Sequence, residues 1–250
     1  MKKTSLMIAV LIALTGVAQA VQMTLTDNNW DKITQTCTIQ EFIPGVNTTY
    51  EVLFKQFDTQ GGARTLQSVT VSYTLNAYGG YFSADNDAAS QATATVTWGA
   101  NARIANNTFD VYLPAGATTV RNAGRSSGLI TLEANQGDEI GVYNSGVATD
   151  KYMLTGADIS APETASYSGT RSSSLDSYLG VSDIGFDFIA NQSSDTSTLG
   201  GAFYSGGPAN ASAVLTVTYN YVPEPTSMAL LAIGCAVLGL RRHGQNTQKV

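Results

Sequence analysis

Hydrophobic and polar residues alternate along several short stretches of the chain. The clearest stretch covers residues 68–77, whose apolar positions are Val69, Val71, Tyr73 and Leu75. Residues 91–98 and 211–221 repeat this period of two. A period of two sends successive side chains to opposite faces of a strand, so the pattern predicts strands with one buried and one solvated face.

Shorter apolar stretches, separated by turn residues, predict further strands. They are residues 25–43, 49–57, 108–113, 127–132, 139–143, 181–189 and 202–204. Gly, Ser, Asn and Asp predict a turn at 58–62 and loops at 78–82, 85–87 and 160–174. Residues 175–180 predict one helical turn that ends at a glycine, whereas residues 151–158 are ambiguous.

Many short strands with almost no helix signal predict an all-β fold. We expect an antiparallel β-sandwich of jelly-roll or Greek-key type over residues 21–221, with a barrel or a β-helix as the alternative. No repeat of fixed period supports a solenoid. Alternation also argues against a parallel α/β sheet, because the strands of such a sheet are continuously apolar.

The N-terminus has the three parts of a secretory signal peptide. Met1-Lys2-Lys3 is positively charged, residues 6–14 are apolar, and Ala18-Gln19-Ala20 is a small-residue cleavage site. This order predicts export, with residues 1–20 removed and the mature chain beginning at Val21.

The C-terminus carries Pro223-Glu224-Pro225, an uncharged apolar run at 227–240, and then Arg241 and Arg242. The prolines predict a stiff, exposed and extended segment. The run predicts a single helix about 20 Å long, which is short against a bilayer core of about 30 Å. The arginines would stay on the cytoplasmic side. Residues 222–243 therefore form a membrane-directed segment, followed by a polar tail at 244–250.

This tail resembles the bacterial PEP-CTERM sorting signal in its Pro-Glu-Pro motif, its short apolar helix with Gly234 and Gly239, and its terminal arginines. The resemblance implies recognition at the inner membrane by an exosortase, a membrane transpeptidase that removes the tail. It also implies a final location at the cell surface or in the extracellular matrix of a biofilm. An ordinary C-terminal anchor helix is the alternative.

The body resembles a choice-of-anchor E type of bacterial surface domain. The features that carry this resemblance are residues 57–62 before Leu66–Val71, the segment 175–188, and the strand Val214–Tyr219 before Val222-Pro223. The resemblance implies a sandwich and a surface location, and it implies no chemistry.

Charge and cysteine content restrict the partners of the body. The chain has 13 basic and 19 acidic residues. Without Lys2, Lys3, Arg241, Arg242 and Lys249, eight basic residues face all nineteen acidic ones, a formal charge of −11. Such a surface repels nucleic acid. Cys37 is the only cysteine of the body, so we expect it to be buried and unpaired.

The candidate chemistry is sparse. His243 is the only histidine, so the body holds neither a Ser-His-Asp triad nor a His-ligated zinc site. We therefore predict no catalytic residues, no metal ligands and no enzyme activity. Asp85-Asn86-Asp87 lacks the later ligands of a calcium-binding loop. A structural Ca²⁺ would suit an acidic, disulfide-free exported protein, but the sequence assigns no ligands to it.

Three hypotheses of function follow from these features. The leading one is a structural or adhesive surface protein, with exopolysaccharide as a partner. The second is a non-catalytic carbohydrate-binding module that contacts glycan through Tyr78, Tyr81 and Phe82 in a glycine-flanked loop. The third is a hydrolase that uses two carboxylates, although the nineteen scattered acids do not identify a pair.

Overall fold

The computed structural model describes residues 7–9, 21–29, 31–45, 48–106, 111–137, 149–193, 195–196 and 202–224. Antiparallel strands make up nearly all of its regular structure, and a 3₁₀ turn lies at Asp176–Tyr178. The strands are β1 Met7–Ala9, β2 Val21–Asn29, β3 Lys32–Phe42, β4 Thr48–Lys55, β5 Arg64–Tyr78, β6 Tyr81–Asn86, β7 Ala92–Asn106, β8 Arg121–Leu132, β9 Lys151–Thr155, β10 Glu163–Arg171, β11 Asp183–Gln192, β12 Asp195–Thr196, β13 Ala202–Gly207 and β14 Asn210–Pro223.

The first sheet has the strand order β1-β2-β3-β14-β5-β10. Its centre is the pairing of β5 with β14, which runs from Asn210 opposite Tyr78 to Pro223 opposite Arg64. Both strands bury every second side chain, as their alternation predicts. The last strand among the described residues, β14, therefore lies in the middle of this sheet, between β3 and β5.

The second sheet has β7 at its centre. β8 pairs with one edge of β7. β11 and the short β12 pair with successive parts of its other edge, and β4 completes the sheet beyond β11. Trp98, on β7, is 1% exposed. Its burial agrees with its place on an alternating apolar face.

One hydrophobic core joins the inner faces of these two sheets. The Tyr73 ring on β5 contacts Phe188 on β11, with 5.4 Å between ring centroids. The Tyr73 hydroxyl donates to the carbonyl oxygen of Ala102 on β7 at 2.8 Å. This burial raises the pKa of Tyr73 to about 12. Aromatic side chains with a polar tip thus connect the sheets without leaving the hydroxyl unpaired.

A smaller sheet has the order β13-β6-β9. Its central strand, β6, follows β5 after the turn at Gly79 and Gly80, both of which have positive φ. Two features favour glycine at position 80: its φ is positive, and a Cβ atom there would lie 2.3 Å from the carbonyl oxygen of Pro208. Ala84 of this sheet forms a second apolar cluster with Ala94 and Val96 of β7 and Leu132 of β8.

Two loop predictions were wrong. Residues 160–174 contain the strand β10, whose Ala165 and Tyr167 turn inward while Ser and Thr face outward. In the other predicted loop, Tyr78 belongs to β5 and residues 81–82 and 85–86 belong to β6, so that only Gly79, Gly80 and Asp87 lie outside the strands. In both cases the pairing partners are distant in sequence, so local composition favoured turns while tertiary pairing imposed strands.

Other predicted elements were changed or lie outside the described residues. The single strand predicted within residues 25–43 is divided between two strands, β2 and β3. The ambiguous stretch 151–158 begins with β9. The predicted strand at 108–113 is not a strand at 111–113, and the one at 139–143 lies outside the described residues. Of the predicted signal peptide, only Met7–Ala9 is described, as β1 paired with β2, and its cleavage stays a prediction.

Candidate functional site

The C-terminal end of β14 delivers the Pro-Glu-Pro motif to the start of β5. Tyr221 lies opposite Leu66, Val222 opposite Thr65, and Pro223 opposite Arg64. Tyr221 is the last buried residue of the strand, whereas Val222 is 51% exposed. The core thus ends immediately before the motif. A proline is compatible with this place because it ends the ladder, where its missing N–H group costs no pairing.

Glu224 directly follows β14 and is held against the start of β5. Its backbone N–H donates to the carbonyl oxygen of Ala63 at 3.0 Å, and its carboxylate accepts a hydrogen bond from the Thr65 hydroxyl. Pro223 and Glu224 are both half-buried. The extended geometry predicted for this segment is confirmed for Pro223, which lies in β14, but the predicted exposure is wrong for both residues, because β5 covers one side.

The turn before β5 supports this junction. The Asp58 carboxylate accepts a hydrogen bond from the N–H group of Gln60 at 2.7 Å, as a turn-forming aspartate is expected to do. The guanidinium of Arg64 lies 5.0 Å from the centroid of the Tyr221 ring, which packs on Phe57 at 5.3 Å. We call the contacts made by residues 63–65 with 221–224 the tail junction.

The remaining sorting residues lie outside the described part of the chain. These are Pro225, Arg241 and Arg242, and, at the other end, Ala18 and Ala20. Among the residues that the structure describes, no helix is both long and apolar enough to cross a membrane. The predicted helix at 227–240 is not among them.

The aromatic residues predicted to contact glycan differ in exposure. Tyr78 is buried, with 7% of its surface exposed, and Phe82 is half-buried against the core. Tyr81 is 37% exposed, and its ring lies over Gly207, where an added Cβ would be 2.9 Å away. Glycan contact stays a prediction, and Tyr81 is the residue of the three whose exposure suits it.

A buried polar cluster was missed by sequence reasoning. Asp85 and Asn86, at the end of β6, and Asp150, before β9, are each fully buried. Asn86 donates to the carbonyl oxygens of Ser90 at 2.9 Å and Glu133 at 2.7 Å. The Asp150 carboxylate accepts from the N–H group of Gln136 at 2.8 Å. The sequence predicted a loop at Asp85-Asn86-Asp87, because the strand partners of Asp85 and Asn86 are remote in sequence.

The described residues contain no group of three or more His, Cys, Asp or Glu side chains placed to hold a metal ion. Cys37 is buried as predicted, and burial raises the pKa of its thiol to about 12. A thiol with so high a pKa is a poor nucleophile at neutral pH. Its place among apolar side chains is structural.

Comparison with protein families finds a match in the tail. The PEP-CTERM protein-sorting motif matches residues 222–242, which agrees with the resemblance seen in the sequence. No curated protein matches the chain.

Similar solved structures include capsids of infectious bursal disease virus. The Gt strain has 10% identity and a TM-score of 0.14, over 85% of this chain and 43% of the viral chain. The Gx strain has 10% identity and a TM-score of 0.14, over 89% and 48%. The T13 particle has 12% identity and a TM-score of 0.11, over 86% and 45%. This chain thus spans less than half of each viral chain.

Proposed function

We propose that this chain is an exported structural or adhesive protein of the cell surface or extracellular matrix, sorted through its C-terminal signal. The observation that carries the proposal is the sorting motif at residues 222–242, which begins where the buried part of β14 ends. An exosortase acting at this motif would remove the tail without taking any residue from the core. Exopolysaccharide is the partner that such a location offers.

The body is proposed to be a jelly roll. Within the two large sheets, the orders β3-β14-β5-β10 and β4-β11-β7-β8 support this assignment. Two interleaved Greek keys, which define the jelly roll, produce this alternation of strands between two sheets. We propose no catalytic role for it, since the body contains no histidine and the sequence identifies no pair of catalytic carboxylates.

The proposal is tested by removing or disabling the tail. Deletion of residues 222–250 is expected to release the protein to the medium or leave it in the periplasm, as measured by fractionation and immunoblotting. A Glu224→Gln variant keeps the strand and the apolar run but changes the motif, and we expect its C-terminal peptide to remain attached in mass spectrometry. Wild-type localisation of the deletion variant would contradict the proposal.

A carbohydrate-binding module is the second candidate, and the exposure of Tyr81 favours it. An exposed ring held against a neighbouring backbone is preorganised for stacking on a sugar. In a polysaccharide pull-down, Tyr81→Ala should lose binding, whereas Tyr112→Ala, which changes a more exposed tyrosine (58% against 37%), should retain it. Absence of binding by the wild-type protein would exclude this candidate for the polysaccharides tested.

A further inference from the structure

A lysine and an aspartate face each other inside the small sheet. Asp85 of β6 lies directly opposite Lys151 of β9, and Lys151 Nζ is 3.6 Å from Asp85 Oδ2. The two side chains are only 5% and 1% exposed. A distance of 3.6 Å is longer than a hydrogen bond, so the amine lies beside the carboxyl group at a distance typical of van der Waals contact.

Burial makes the charged forms of this pair costly. Desolvation of two ions can exceed the attraction between them. Transfer of one proton from the ammonium to the carboxylate leaves a neutral amine and a neutral carboxylic acid, which avoids that cost. A neutral amine is a nucleophile, and the carbon of the acid is its electrophile. Groups held in contact react as if at very high concentration.

The surroundings hold the pair in place. Asn86, next to Asp85, is fixed by its two side-chain hydrogen bonds, and its backbone N–H donates to the carbonyl oxygen of Asp150 at 2.9 Å. Asp150 precedes Lys151 and is itself tied to Gln136. The ends of β6 and β9 are therefore locked at the point where the two side chains meet, so little motion separates the contact from a reactive geometry.

We propose that Lys151 and Asp85 condense to an intramolecular amide. Nζ attacks Cγ of the protonated Asp85 carboxyl, a C–N bond forms, and the C–O bond to the hydroxyl breaks. The hydroxyl leaves with a proton from the nitrogen as one molecule of water, so the step needs no oxidant and no cofactor. The product replaces two buried charges by one neutral amide. It joins β6 to β9 covalently in a body that has one cysteine and therefore no disulfide of its own.

The chain contains a matched control for this chemistry. Lys55 on β4 lies directly opposite Asp183 on β11, with 2.7 Å between Lys55 Nζ and Asp183 Oδ1. These side chains are 59% and 38% exposed, so water solvates both. The control pair is closer but solvated, and we expect it to stay an ion pair.

Peptide mass spectrometry of the exported wild-type protein tests the proposal directly. After denaturation and trypsin digestion, peptides 65–103 and 126–171 should appear joined, with no cleavage after Lys151 and a mass one water below their sum. Separate linear peptides from the wild-type protein would overturn the proposal. This readout does not depend on processing at the chain ends or on the folding of any variant.

Variants locate the bond. Lys151→Arg and Asp85→Ala should each give linear peptides only, whereas Lys55→Arg should leave the linked species unchanged. Asp85→Asn should form the same amide with loss of ammonia instead of water. A link between Lys55 and Asp183 of equal yield would contradict the argument from burial, because that pair is exposed.

Discussion

The tail junction predicts that the body competes with the sorting enzyme for Glu224. Thr65→Val removes the hydroxyl that donates to the Glu224 carboxylate and keeps a β-branched side chain of similar size. Because this contact is exposed, we assign it about 0.5–1 kcal/mol. This loss lowers the equilibrium constant for docking of Glu224 on Thr65 by about two- to fivefold. If the enzyme engages only the undocked segment, removal of the tail should accelerate by the same factor.

Pulse-chase labelling measures this effect as the ratio of precursor to processed protein with time. Thr70→Val is the matched control, since Thr70 lies on the same strand and its hydroxyl forms an exposed hydrogen bond of 2.8 Å with Thr170. We expect wild-type processing in this control. Unchanged or slower processing of Thr65→Val, or equal acceleration in both variants, would refute the reasoning.

Two further predictions concern the core. Gln35, which is 2% exposed, exchanges two hydrogen bonds of 2.8 Å with the backbone of Lys55. Gln35→Leu should therefore cost about 2–4 kcal/mol in urea unfolding, against little change for the exposed Gln67→Leu, and a loss below about 1 kcal/mol would contradict it. Burial also raises the pKa of Cys37 from 9.0 and of Tyr73 from 10.0, each to about 12. The folded protein keeps these protons to a higher pH than the unfolded chain does. The free energy of unfolding should therefore fall as the pH rises from 9 to about 12. Tyr73→Phe should flatten this decline, and a constant urea midpoint over that range would count against the assignment.

Local patterns predicted the strands whose two faces differ strongly. β5 and β14 alternate large apolar with hydroxyl side chains, so period and burial agree without knowledge of their partners. β10 was missed because its inward residues are few and its outward face is Ser and Thr, a composition shared with loops. Its strand geometry comes from pairing with β5, which the local sequence does not encode.

The sites divide in the same way. The sorting motif is contiguous, so its residues were identified from the order of the sequence alone. The contacts of Glu224 with Thr65, and of Asp85 with Lys151, join residues that are far apart in the chain. Such pairs follow from sheet register, and a shift of one residue would send each side chain to the opposite face. The chemistry of single residues was therefore visible in the sequence, while their partners were not.

The place of β14 connects folding with sorting. β14 lies between β3 and β5, so the first sheet cannot close until residue 223 has been exported. Glu224, Pro225 and Thr226 separate Pro223 from the apolar run that begins at residue 227, and three residues span at most about 10 Å. If the run enters the membrane as proposed, the domain must complete its central strand close to the bilayer. Docking of Glu224 on Thr65 then holds the motif against the domain until it is released to the enzyme. The contacts at the tail junction are weak and exposed. They order the end of β14 and still release it to the enzyme at a cost of about 1 kcal/mol each.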